Sequence, residues 1–131
     1  MERILTAEVD EDVGPLERLE RVWTEVIGSF EAHRPALVAS FEAFVRAEHS
    51  PELRARIAAV QEEARSWLAA LFGEVEGGSD GVSGRALGSF HLALLSGLMI
   101  QWLSDPERAP SGGEMAEALG AILRNAGPAR G

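Results

Sequence analysis

Apolar residues recur at spacings of three and four along most of the chain, which is the pattern of amphipathic α-helices. No period-two alternation is present that would indicate a strand. Capping and helix-breaking residues divide the pattern into a short N-terminal segment and five long helices. The long helices are predicted to begin at Pro15, Pro35, Pro51, Ser83 and Ser111, and to end near His33, Glu48, the glycine-rich loop at 77–81, Ser104 and Gly127. We therefore expect an all-α antiparallel bundle of five main helices.

Three local signals support these boundaries. Pro15 suits a first helical position because its missing N–H is not needed there. Ser50 precedes Pro51 as an expected N-cap. Ser111 is followed three residues later by Glu114, which is the spacing of a capping box.

The fourth predicted helix differs from the others because it is apolar on nearly every side between Phe90 and Leu103. Such a helix is buried all round, and a second chain is a natural cover for it. Its bulky side is assigned to the interior, and small residues on the other side allow close approach of another helix. With the fifth helix packed beside it, the expected homodimer interface comprises Ser89, Ala93, Gly97, Ile100, Ser104, Met115, Leu119, Ile122 and Leu123. The alternative is the central helix of a monomer.

Composition narrows the possible functions. The chain has 131 residues, a net charge of −9 and no cysteine. Acidity of this degree argues against direct contact with nucleic acid, because that affinity comes largely from Lys and Arg on phosphates. Three scattered histidines form no metal motif, so no metal and no cofactor is expected. Without a signal peptide or an apolar run of about 20 residues, we expect a cytoplasmic protein that does not contact a membrane.

Three segments in order carry a family resemblance. They are His33–Arg34–Pro35 before an aromatic second helix, the run SPELRAR at 50–56, and LLSGLMIQWLSDPE at 94–107. Their order and spacing resemble the C-terminal domain of TetR-family transcriptional regulators over essentially the whole chain. The resemblance implies one domain over residues 1–131, in which 1–10 are the end of a linker helix and 127–131 a tail. It also implies a homodimeric repressor whose DNA-binding helix-turn-helix domain is absent from this sequence.

The resemblance further implies a cavity among the first four helices that binds a small-molecule effector. That effector is expected to be apolar or aromatic. Large residues expected to face the cavity are Trp23, Ile27, Phe30, Phe41, Phe44, Val60, Trp67, His91, Leu95 and Met99. A stripe of such residues at helical spacing is more often plain core than a ligand site, since pockets and cores use the same residue types. His91 is the sharpest of them. It would orient a ligand, or be satisfied within the core, or lie at the dimer edge.

Two other functions stay open at this stage. One is a helical dimer that binds no small molecule and serves as a protein-interaction module, which a tightly filled core would favour. The other is a small helical enzyme, in which His91 would be the one candidate acid or base. No nucleophile elbow, P-loop or dinucleotide fingerprint is present, so no catalytic residue is assigned and a non-enzyme is expected.

Overall fold

The computed structural model describes residues 14–75 and 84–126, and within these ranges it contains helices and no strand. The helices are α1 (Pro15–Gly28), α2 (Arg34–Arg46), α3 (Pro51–Val75), α4 (Gly84–Ser104) and α5 (Gly112–Asn125), with a 3₁₀ turn at Ala47–His49. The predicted all-α class is confirmed. The N-terminal segment, the cap at Ser83, the loop at 77–81 and the tail lie outside the described residues.

Two of the predicted helix starts, at Pro51 and after Ser111, carry the caps that the sequence indicated. The Oγ of Ser50 accepts a hydrogen bond from the backbone N–H of Leu53 at 3.2 Å. Ser111 and Glu114 form the complete capping box, since each side chain accepts from the other residue's backbone N–H. These bonds satisfy amide donors that the first turn of a helix leaves without a partner.

The predicted end of the first helix near His33 is wrong, because α1 ends at Gly28. The hydroxyl of Ser29 donates to the carbonyl of Val26 at 2.6 Å, and the following residues form turns. A side-chain hydroxyl that bonds a nearby carbonyl competes with the helical ladder, which accounts for the early end. The turns closing at His33 then redirect the chain into α2.

Helices α3 and α4 share the most extensive contact among the described helices and run antiparallel. Gly84 lies opposite Ala69, and Gly88 lies opposite Arg65 one turn further along each helix. A Cβ on Gly88 would overlap the carbonyl oxygen of Arg65, so this glycine allows the two backbones to touch. The absence of a side chain at Gly88 therefore sets the distance between α3 and α4.

Helix α5 packs mainly against α1, although we expected it beside α4. A Cβ on Gly112 would overlap Thr24, and one on Gly120 would lie 3.0 Å from Leu16. Since the chain numbers rise along α5 as they fall along α1, this pair is also antiparallel. The two glycines let α5 approach α1 closely, a preference that the apolar stripe of α5 did not reveal.

The core lies between α1, α3 and α4. Its buried residues are Leu19, Val22, Trp23, Val26, Phe30, Leu68, Leu71, Phe72, Leu98 and Trp102. Helix α2 contributes no buried residue and only Leu37 packs against this cluster from it. Helix α2 therefore lies at the edge of the core, where only Leu37 reaches it.

Helix α4 also has the length and apolar character that a membrane span requires, with a mean hydropathy of 1.4, although we expected no such segment. A single such helix is weak evidence for a span, because the core helices of soluble proteins pass the same test. Here α4 supplies His91, Leu98 and Trp102 to the interior, yet only 17 % of the apolar window is buried. Much of its apolar surface is thus left to face outward.

Candidate dimerisation seam and ligand groove

Three of the predicted pocket residues lie in the packed core. The rings of Phe72 and His91 stack with centroids 3.8 Å apart, and Trp23 stacks on Phe72 at 5.2 Å. Trp23 and His91 are 1 % and 0 % exposed. Phe30 is likewise buried and meets Trp102 edge-on. These aromatic pairs pack α1, α3 and α4 together in the core.

The remaining predicted pocket residues fall into two groups. Phe44 and Val60 are exposed, at 60 % and 64 %, so the structure does not bring them together with the core aromatics. The other five are half-buried: Ile27, Phe41, Trp67, Leu95 and Met99. The predicted pocket residues are therefore divided between the core, half-buried positions and the exposed surface.

A groove of about 670 Å³ runs between α2 and the C-terminal end of α4. Its volume is within the range of small-molecule sites in proteins. Arg34, at the start of α2, lies over the ring of Trp102 at 5.4 Å and so ties α2 to α4 beside the groove. The residues that line the groove are Val38, Phe41, Glu42, Val45, Arg46, Ile100, Leu103 and Ser104.

The groove is apolar along its length and polar at a few points. Val38, Phe41, Val45 and Leu103 supply hydrocarbon and aromatic surface, while Glu42 and Arg46 bring one charge of each sign. Such a mixture suits a mostly apolar molecule with a polar end. Of the groove residues on α2, the sequence analysis named Phe41 alone.

The sequence analysis missed the other groove residues of α2. Val38, Phe41 and Val45 recur at spacings of three and four, so one stripe on α2 was visible. What the sequence did not reveal is that this stripe lies away from the core. The C-terminal end of α4 faces it instead.

The outward side of α4 carries a regular row of residues, which we call the α4 seam: Phe90, Ala93, Gly97, Ile100 and Ser104. Their spacing alternates three and four, as in helices that pack along one another. Phe90 and Ile100 are 47 % and 51 % exposed, and the space around Gly97 is open to 4 Å. No residue from Phe90 to Ser104 is an Asp, Glu, Lys or Arg.

The predicted small-residue face agrees with this geometry at four positions. Ala93, Gly97, Ile100 and Ser104 lie on the seam, whereas Ser89 is half-buried beside it. The Oγ of Ser104 donates to the carbonyl of Ile100 at 2.8 Å. Because that hydroxyl is already bonded within the helix, another chain could cover it at little desolvation cost.

The residues assigned to the interface on α5 divide between two sides of the helix. Met115 and Leu119 pack against the core cluster, whereas Ile122 and Leu123 are each 59 % exposed. Only the second pair is therefore accessible to a partner chain.

Outside the groove and seam, Glu62 of α3 joins α3 to α4. It accepts hydrogen bonds from Arg85 and from Arg65. The Arg85 hydrogen bond, followed by the charges of both guanidinium groups, holds the pKa of Glu62 below its ordinary value. Within residues 14–75 and 84–126, no cluster of three or more His, Asp or Glu side chains could hold a metal ion.

Comparison with known proteins places these features in a family. No curated protein and no solved structure matches the chain. A family model described as "Tetracyclin repressor-like, C-terminal domain" matches residues 14–126. That match spans all five helices, the seam and the groove, and it confirms the resemblance identified from the sequence. The chain therefore belongs to the tetracyclin repressor-like C-terminal domain family.

Proposed function

We propose that the chain is the effector-binding and homodimerisation domain of a TetR-like transcriptional repressor. In this role it associates through α4 and takes up an apolar or aromatic small molecule. It acts in the cytoplasm, is not an enzyme and does not itself touch DNA. The observation that carries the proposal is the uncharged, outward-facing α4 seam.

The seam supports dimerisation on energetic grounds. Burying apolar surface is worth roughly 25 cal/mol per Å², and Phe90 and Ile100 leave about half of theirs exposed in the single chain. Small residues between them allow a second α4 to approach closely. The chain carries a net charge of −9, yet the seam has no charged residue, so two copies can meet there without direct charge repulsion.

The groove supports ligand binding because it is sized for a small molecule and lined mainly by apolar groups. Phe41 belongs to both the groove and the predicted pocket. Phe44 and Val60 lie on the surface, outside any such site. The buried pocket residues Trp23, Phe30 and His91 stay candidates only if their aromatic packing separates to admit a ligand.

A module that dimerises without a ligand is the second candidate function. The observation that favours it is the close stacking of Phe72 on His91, since the interior at that point is filled by protein. Failure of any small molecule to stabilise the domain would favour this candidate over the first.

Sedimentation equilibrium on matched variants tests the proposal. Ile100→Arg places a charge on the seam, and Val60→Arg places one at a similarly exposed position on α3. We expect wild type and Val60→Arg to be dimers at tens of micromolar. Ile100→Arg should weaken association at least tenfold, which corresponds to about 1.4 kcal/mol.

A monomeric wild type, or an Ile100→Arg variant that dimerises as tightly as Val60→Arg, would contradict the dimerisation role. The same samples should show no salt-sensitive retention of random duplex DNA, because the acidic surface repels phosphates.

A further inference from the structure

The groove and the α4 seam share two residues. Ile100 and Ser104 line the groove on its α4 side and are also the last two positions of the seam. A chain that packs along the seam must therefore reach the edge of the groove. The two sites are parts of one continuous surface.

The groove is too open to hold a ligand well within a single chain. Val45 is 68 % exposed and Ile100 is 51 % exposed, although both line it. Small-molecule sites usually bury most of the surface of their ligand. An apolar molecule in this groove would keep one side in water, so the groove lacks a wall in the single chain.

We propose that a second copy of this chain supplies the missing wall. The ligand site is then the groove between α2 and α4 of one protomer, closed by the partner seated on the α4 seam. The ligand is a mostly apolar molecule with a polar end near Glu42 and Arg46. This inference rests on the dimerisation proposed above.

A shared site has a thermodynamic consequence. A ligand that contacts both chains binds the dimer better than the single chain, so each bound ligand must tighten dimerisation by the same factor. Ligand binding would thereby alter the relation between the two chains directly, through Ile100 and Ser104. No pathway through the core is needed.

Because the chain has no cysteine, single thiols can be introduced to test this. Val45→Cys lies in the groove, and Val60→Cys lies on α3 outside the groove lining; the native side chains are 68 % and 64 % exposed. Each variant is reacted with a water-soluble aromatic disulfide at a concentration where the chain is dimeric. Each is also made on the Ala93→Arg background, which places a charge on the seam without changing a groove residue.

In the dimer, the Val45→Cys thiol should react about tenfold more slowly than the Val60→Cys thiol, because the partner covers it. With Ala93→Arg, the two rates should become equal within about twofold. Saturating 1-anilinonaphthalene-8-sulfonate should slow Val45→Cys further in the dimer and leave Val60→Cys unchanged.

Three results would be decisive against the inference. Equal rates for the two thiols in a proven dimer would show that the partner does not close the groove, while the dimerisation role would stand. Protection of Val45→Cys that persists in Ala93→Arg monomers would make the groove a single-chain site. Absence of protection by the sulfonate probe in the dimer would overturn the ligand part. A monomeric wild-type chain would instead refute the dimerisation on which this inference rests.

Discussion

The rings of Phe72 and His91 lie parallel, with centroids 3.8 Å apart and an angle of 8° between their planes. His91 is fully buried, and Trp23 and Phe90 also lie against it. This histidine therefore acts as an aromatic core residue that joins α4 to α3 and α1. Its polarity made it the sharpest ligand candidate in the sequence, but its packing gives it a clear structural role.

Removal of the imidazole should destabilise the domain. His91→Ala leaves a cavity beside Phe72 and should lower the free energy of unfolding by roughly 2–4 kcal/mol, as for other large-to-small core changes. Phe44→Ala is the control, because Phe44 is 60 % exposed, and it should change stability by about 0.5 kcal/mol or less. Urea denaturation measures both. Similar losses for the two variants would contradict the core role of His91.

Two glycines of α4 should respond in opposite ways to the same substitution. Gly88→Ala forces α3 and α4 apart at the Arg65 carbonyl and should cost about 1–3 kcal/mol. Gly97→Ala meets open space and should stabilise the helix by up to about 1 kcal/mol. Both are compared by denaturation on the Ile100→Arg background, so that dimerisation does not contribute. Equal effects would mean that α3 and α4 are less closely packed at Gly88 than described.

The capping box should contribute measurably to stability. Ser111→Ala removes the acceptor for the Glu114 N–H and should cost about 1 kcal/mol. Ser40→Ala is a matched control, since that hydroxyl only bonds the Ala36 carbonyl within α2 and alanine is the better helix former. Thermal unfolding should therefore separate the two variants, with Ser40→Ala at or above wild type.

The Glu62–Arg85 pair predicts a pH dependence of known sign. Because the pKa of Glu62 is lowered on folding, the unfolded chain binds more protons in acid, and the stabilisation is lost as pH falls through the lowered value. It is complete above the ordinary glutamate pKa of about 4.3. The stability difference between wild type and Glu62→Gln should shrink below that pH, and likewise for Arg85→Gln. A difference that grew in acid would contradict the assignment.

The sequence predicted the helices well because their caps are local. Ser50 and Ser111 accept hydrogen bonds from backbone amides three residues away. The starts of α3 and α5 can therefore be predicted from neighbouring residues in the sequence. The end of α1 was missed because Ser29 bonds backward to Val26, which looks the same in sequence as an exposed serine.

Packing partners were harder to predict than helices. The stripe of α2 was visible, but the stripe alone does not show that α2 contributes no buried residue to the core. The position of α5 was missed for a different reason: Gly112 lacks the side chain that would meet Thr24, and so lets α5 lie against α1. A missing Cβ leaves no apolar pattern, so this contact between helices could not be located from periodicity alone.

Disulfide crosslinking across the α4 seam tests the central claim most directly. Gly97→Cys and Ala93→Cys place single thiols on the seam, and Gly28→Cys places one at the end of α1, where the surroundings are equally open. If two α4 helices pack along the seam, paired thiols come within the Cα separation of about 4.4–6.8 Å that a disulfide needs. Mild oxidation should then convert at least one seam variant into a covalent dimer and leave Gly28→Cys monomeric on a non-reducing gel. Crosslinking of neither seam variant, or of Gly28→Cys to the same extent, would contradict dimerisation through α4.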